Sequence, residues 1–242
     1  MERANEGIDY RAFVFVATSP LFAQVFLARG LLQLLARGWN GAIVSEIASS
    51  GPRDDGRIFN MAGIREATVD DLHRVDGKAE IVRGELVLMS PTGALPNFAA
   101  GEIFVRLREY ARATKTGHAL TDNAGFIVNL PNRRSFSPDV AFTTTQVLTG
   151  DFIEGAPLFA VEVRSKGDYG PAVERAMAEK RADYFAVGTL VVWDVDVLHD
   201  QLVRVYRADA PGITSIYRRG EVADAEPALP GFSMPVDDLF PR

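Results

Sequence analysis

From Met61 onward the apolar positions fall into short runs broken by turn residues, and into two stripes of helical period. Thr68-Val-Asp-Asp71 has the form of an N-cap followed by acids in a first turn, and predicts a short helix to about Val75. Residues 80–83 and 85–89 predict a hairpin around Arg83-Gly84, and Ser90-Pro-Thr-Gly93 a turn. A helix is expected from about 97 to 114, with Ile103, Leu107 and Tyr110 on one face. Strands are expected near 125–130, 138–142, 158–164, 189–195 and 201–207, and a long helix over 170–186. The tail 229–240 reads as coil ending in a short helical turn, and no internal repeat is evident.

The first sixty residues have a different texture. Residues 12–28 carry no charge, but the run falls short of the roughly 20 residues that span a membrane, and Ser19-Pro20 and Gln24 interrupt it. The segment before it is not basic, so a signal peptide is disfavoured. A short amphipathic helix near 20–36 is expected, with no stable membrane association. Residues 49–57 read as a linker. The expected organisation is an N-terminal extension over 1–60 and one domain over 61–242.

Two acids stand in apolar surroundings. Leu158-Phe-Ala-Val-Glu-Val-Arg164 is apolar on both faces, which places it centrally in a sheet. Glu162 sits inside it, where an unpaired carboxylate is costly. Asp139, in Ser137-Pro-Asp-Val-Ala-Phe142, again lies in an apolar strand. Acids on neighbouring strands stand close enough to resist ionising together unless a cation neutralises them. Hard oxygen donors select Mg²⁺ or Mn²⁺. On the 170–186 helix, Val173, Met177, Lys180 and Tyr184 fall within about 60° of one another. A lysine centred on an apolar stripe needs an acidic partner or an anion such as phosphate. Arg175, Glu179 and Asp183 lie on other faces, and Glu80 is a third candidate acid. Tyr184 and Trp193 read as core aromatics, and His199-Asp200 is assigned no role.

Composition narrows the chemistry. The 242 residues include no Cys, so disulfides and thiolate metal sites are excluded. The three histidines, His73, His118 and His199, are far apart and lack zinc-binding spacing. A net charge of −6 argues against a passive nucleic-acid coat protein, though not against an enzyme gripping DNA locally through a metal. Residues 99–134 carry six bases against three acids, a net of +3 that suggests one basic face. No serine-hydrolase, P-loop or dinucleotide-binding motif is present. The absence of Cys and of a clear leader favours a bacterial-type cytoplasm.

Taken in order, Glu80-Ile-Val-Arg-Gly-Glu-Leu-Val-Leu-Met-Ser-Pro-Thr-Gly93, Pro138-Asp-Val140, Val161-Glu-Val-Arg-Ser165, Glu179-Lys-Arg-Ala-Asp-Tyr184, Val191-Val-Trp-Asp-Val195 and the 229–240 tail resemble the Uma family. These are restriction endonucleases of the PD-(D/E)XK superfamily. The resemblance spans about residues 64–240. It implies an α/β, restriction-endonuclease-like fold with a mixed central sheet flanked by helices. It implies a metal-dependent endonuclease that hydrolyses DNA phosphodiester bonds.

Asp139 then matches the motif aspartate and Glu162 the following acid. Arg164 stands where a lysine is usual, and Lys180 on the next helix matches the displaced lysine. Glu80 matches the acid from the first helix or hairpin region. Under this reading Asp139, Glu162 and the Val163 carbonyl bind Mg²⁺, with Mn²⁺ as a substitute. Glu80 ligates directly, through water, or with a second metal. Lys180 orients the water or stabilises transition-state charge. Arg164 and Lys166 contact backbone phosphate, and Arg106, Arg108 and Arg112 track the duplex. The expected partner is double-stranded DNA, with a homodimer open. After Pro-Thr-Gly, many members carry His or Thr where this chain reads Ala94-Leu-Pro-Asn97. A catalytically silent nucleic-acid- or partner-binding module, or an RNA-processing phosphodiesterase, are the alternatives.

Overall fold

The computed structural model describes residues 65–145 and 147–242. The expectations for the extension over 1–60, its uncharged run and its linker lie outside the described residues. Local chemistry sets the first elements. Thr68 Oγ1 accepts the Asp71 N–H at 3.3 Å and Asp71 Oδ2 accepts the Thr68 N–H at 2.9 Å. This reciprocal cap opens the short helix α1 (Val69–His73). Strands β1 (Ala79–Val82) and β2 (Glu85–Leu88) form the expected hairpin. Arg83 and Gly84 both have positive φ, 51° and 76°, as a tight two-residue hairpin turn requires.

Helix α2 (Ala94–Thr114) starts three residues earlier than the periodicity suggests. Pro96 falls in its first turn, where the missing N–H would have no intrahelical partner. Strand β3 (His118–Leu120) follows. Then come β4 (Phe126–Ile127), β5 (Ser135–Phe136), β6 (Val140–Thr143), β7 (Ile153–Glu154) and β8 (Phe159–Val163). Helix α3 (Pro171–Ala186) leads to β9 (Val191–Asp196), β10 (Leu202–Arg207) and β11 (Thr214–Arg218). Strands β12 (Val222–Asp224) and β13 (Ser233–Pro235) and a 3₁₀ turn (Val236–Leu239) close the chain.

The central sheet has six strands in the order β11-β10-β9-β8-β6-β3. Strands β8 and β9 run parallel, joined by α3, and every other neighbouring pair is antiparallel. This is the mixed sheet that the resemblance implied. Phe159, Val161 and Val163 of β8 face a core shared with Ile103 and Leu107 of α2 and with Phe232 and Leu239 of the tail. The opposite face packs Ala160, Val192 and Tyr184 beneath α3. A smaller sheet, β5-β4-β7, stands beside it. The hairpin is fastened there by Arg134 N–H to the Ile81 carbonyl at 2.9 Å and by Ile81 N–H to Ser135 Oγ at 2.8 Å. Among the described residues no helix is long and apolar enough to cross a membrane.

Candidate active site

Antiparallel pairing sets the two strand acids opposite each other. Val140 pairs with Val161, so Asp139, just before β6, faces Glu162 on β8. The Val163 N–H donates to Asp139 Oδ2 at 2.7 Å, fixing the aspartate against the edge of β8. Both carboxylates keep some access to solvent, 23% for Asp139 and 21% for Glu162. Burial pushes the Glu162 carboxyl up; Lys180 opposes this, while Asp139 and Glu80 add to it by repulsion.

Lys180 reaches this pair from α3. Val173, Met177 and Lys180 are half-buried and Tyr184 is buried, so the helix presents the stripe that its period predicts. The Lys180 ammonium lies 2.8 Å from Glu162 Oε1 and 2.9 Å from Glu80 Oε1. Burial alone would lower its pKa, but Glu162 and Glu80 outweigh that and hold it above the usual lysine range. The Tyr184 hydroxyl donates to Glu162 Oε1 at 2.7 Å, and its ring stacks on Phe136 at 4.0 Å. Tyr184 is thus a core aromatic that also touches the acid cluster.

Glu80 sits deeper, at 3% exposure. Arg133 donates to its Oε2 at 2.6 Å, and the Ser137 N–H to its Oε1 at 2.9 Å. Burial pushes the Glu80 carboxyl up, yet Lys180 and Arg133 bring it below its ordinary value. Its oxygens are already engaged by two cations and an amide, with Lys180 between it and Glu162. It stands as a counter-charge that holds Lys180. Asp183 serves Arg133 from the other side at 2.9 Å.

Lys78 was not singled out by the sequence. Its ammonium lies 2.7 Å from Asp139 Oδ1 and 2.5 Å from Asp122 Oδ1. It precedes β1 among polar residues, with no apolar stripe to mark it. Arg164 departs from its expected role. It is buried at 4% exposure, forks onto Asp194 at 2.6 and 2.7 Å, and also pairs with Glu174. With its donors consumed by α3 and β9, it does not present to a phosphate. Arg106 donates to the Ser233 carbonyl at 3.4 Å, whereas Arg108 and Arg112 line a cavity on the α2 side.

A family model described as "putative restriction endonuclease", Uma2, matches residues 67–237. The chain belongs to the Uma2 family. The crystal structure of a "putative nuclease belonging to DUF820" from Anabaena variabilis is similar, with a TM-score of 0.58 at 16% identity. The match covers 72% of this chain and 97% of that one, and it shows a shared fold. No curated protein matches. Membership of Uma2 places this chain in a family of nucleases, and the acid–lysine cluster lies wholly within the matched residues.

The donor chemistry of the cluster fits a hard divalent cation. Asp139 and Glu162 are facing carboxylates that repel one another and keep an opening to solvent. Among the described residues no three His, Cys, Asp or Glu side chains gather around one point. The reason is visible: Lys78 and Lys180 supply the neutralising charge, and Lys180 separates Glu80 from the other two acids.

Proposed function

We propose that this chain is a metal-dependent endonuclease that hydrolyses DNA phosphodiester bonds. The observation that carries the reading is Lys180, buried on a helix and shared between Glu162 and Glu80 beside Asp139. Asp139, Glu162 and the Val163 carbonyl would hold Mg²⁺, with Mn²⁺ as a substitute. Such an ion lowers the pKa of bound water and screens the phosphate.

The chain's own groups do the rest. Lys180 stays protonated, because two carboxylates favour its charged form, so it cannot act as a base. Its role is to offset negative charge that grows on the phosphate during attack. Glu80 and Arg133 hold the lysine's anchor in place, so little reorganisation is needed at the reacting moment. Tyr184 fixes the orientation of the Glu162 carboxylate. The domain would act in the cytoplasm on duplex DNA. A silent binding module is favoured by one observation, the Lys78 ammonium already seated on Asp139.

Nicking of supercoiled plasmid by the full chain separates the two. Cutting is expected with Mg²⁺ or Mn²⁺, none in EDTA, and a loss of at least about 100-fold in Asp139→Ala, Glu162→Ala and Lys180→Gln. Glutamine is chosen because alanine would leave Glu162 and Glu80 facing an empty space. Equal cutting by Lys180→Gln would remove the lysine from the chemistry. A folded protein that binds DNA but never cuts would establish the silent module.

A further inference from the structure

Two lysines serve the acid pair, and they are held in unlike ways. The partners of Lys180 are themselves fixed, Glu80 by Arg133 and the Ser137 N–H, and Glu162 by the Tyr184 hydroxyl. Lys78 has one fixed partner and one loose one. Its inner partner is Asp139; its outer partner, Asp122, belongs to the turn between β3 and β4. Asp122 is 48% exposed, and beyond Lys78 its carboxylate accepts only the neighbouring Asn123 N–H among the described residues. The Lys78 backbone is pinned, since its carbonyl accepts the Met89 N–H at 2.9 Å. What can swing is its four-carbon stem.

The oxygen that Lys78 covers is the one a metal ion would need. Asp139 Oδ2 already accepts the Val163 N–H at 2.7 Å, and the Lys78 ammonium sits 2.7 Å from Oδ1. A divalent ion and an ammonium on one carboxylate oxygen repel each other strongly. A lysine between two carboxylates is charged at neutral pH, so it leaves the oxygen by changing partner and keeps its proton. The new partner has to be an anion arriving from solvent. The linked acids Asp122, Asp139, Glu162, Glu80 and Asp183 outnumber Lys78, Lys180 and Arg133 by two charges. That excess repels an incoming anion, and Lys78 is the cation able to advance to meet it. Asp122 and Asp139 engage two of its three N–H donors, which leaves one for an oxygen of the newcomer.

We propose that Lys78 receives the scissile phosphate: the phosphodiester draws its ammonium off Asp139, and the oxygen so released takes the divalent cation. The proposal rests on the nuclease reading and adds a gate to it. Opening the seat on Asp139 has a free-energy cost borne by whichever ligand arrives first, and the second then binds without it. DNA and metal therefore tighten each other's binding by the same factor, as linkage requires. A silent binding module has no need of such coupling.

Both halves of the cycle are read without turnover. Mn²⁺ binding to the full chain would be followed by electron paramagnetic resonance. Binding of a fluorescent 30-base-pair phosphorothioate duplex, chosen to resist hydrolysis, would be followed by anisotropy in EDTA and in Mn²⁺ at one ionic strength. In wild type, Mn²⁺ is expected to raise duplex affinity at least about tenfold. Free Lys78→Gln should bind Mn²⁺ about tenfold more tightly than wild type, and its Mn²⁺-dependent gain in duplex affinity should be smaller by that same factor. An equal gain in the two proteins overturns the proposal, as does weaker Mn²⁺ binding by a folded Lys78→Gln. Duplex binding by wild type with no gain from Mn²⁺ overturns it with no variant needed. No duplex binding by wild type in either condition rejects the nuclease reading and the gate together. A gain that depends on Lys78, in a protein that never nicks plasmid, rejects the nuclease reading and keeps the gate.

Discussion

Lys78 bridges Asp139 and Asp122, and Lys180 bridges Glu162 and Glu80. Each lysine does for an acid pair what a divalent cation would do, at the cost of competing with one. Lys78 is the more weakly committed, since Asp122 is 48% exposed and Glu80 only 3%. Removing one positive charge beside Asp139 should therefore tighten cation binding. Lys78→Gln is expected to strengthen Mn²⁺ binding about tenfold, read by electron paramagnetic resonance without any turnover. Weaker binding would show that Lys78 organises the acids instead. Arg164 gives the opposite lesson. The fork onto Asp194 is buried on both sides, and lysine cannot reproduce its geometry. Arg164→Lys keeps the charge but loses the fork, and should destabilise the fold by about 1.5–3 kcal/mol in urea titration while leaving the salt slope of DNA binding unaltered.

At the scale of elements, the turns and caps position the chemistry. Gly84 lies at φ 76°, and a Cβ there would meet the Glu66 side chain at 2.9 Å. Gly84→Ala should cost about 1–3 kcal/mol and loosen the hairpin that carries Glu80, lowering activity more than overall stability predicts. Asp196 ends β9 by accepting the N–H groups of Leu198 and His199 and the Tyr169 hydroxyl. Burial pushes its carboxyl up, but the His199 N–H and Tyr169 bring it below its ordinary value. Its ionised form is thus favoured by folding. That stability is present above about pH 4 and is lost as pH falls through the lowered pKa. Asp196→Asn should melt earlier than wild type at pH 7, and the gap should close on acidification. A gap that widens in acid would contradict this account.

Across the whole molecule, the elements with strong periodicity were legible in the sequence: the hairpin, both long helices and the central strands. Their apolar faces are set locally, and Lys180 stood out because it breaks such a face. Strand β3 was missed because it is three half-buried residues at a sheet edge, with no alternation to detect. Strand β11 alternates only between exposed and half-buried positions, so its pattern is faint. The strands of the smaller sheet are two residues each, shorter than any periodicity. Lys78 and Arg133 were invisible for a different reason. Their partners lie 61 and 53 residues away, and only the folded chain brings them together.

The lysine's place on a helix has a mechanical consequence. Strands β6 and β8 are locked by ladders on both sides, whereas α3 buries only Asp183 and Tyr184 and is held mainly by side chains. The acids are thus mounted on hydrogen-bonded strands and their cation on a helix held to the sheet by side chains. A slip of α3 by one turn, about 5.4 Å, would withdraw the ammonium and leave the carboxylates where they are. Arg164, clamping Glu174 in the first turn of α3 to Asp194 on β9, braces the helix against such a slip.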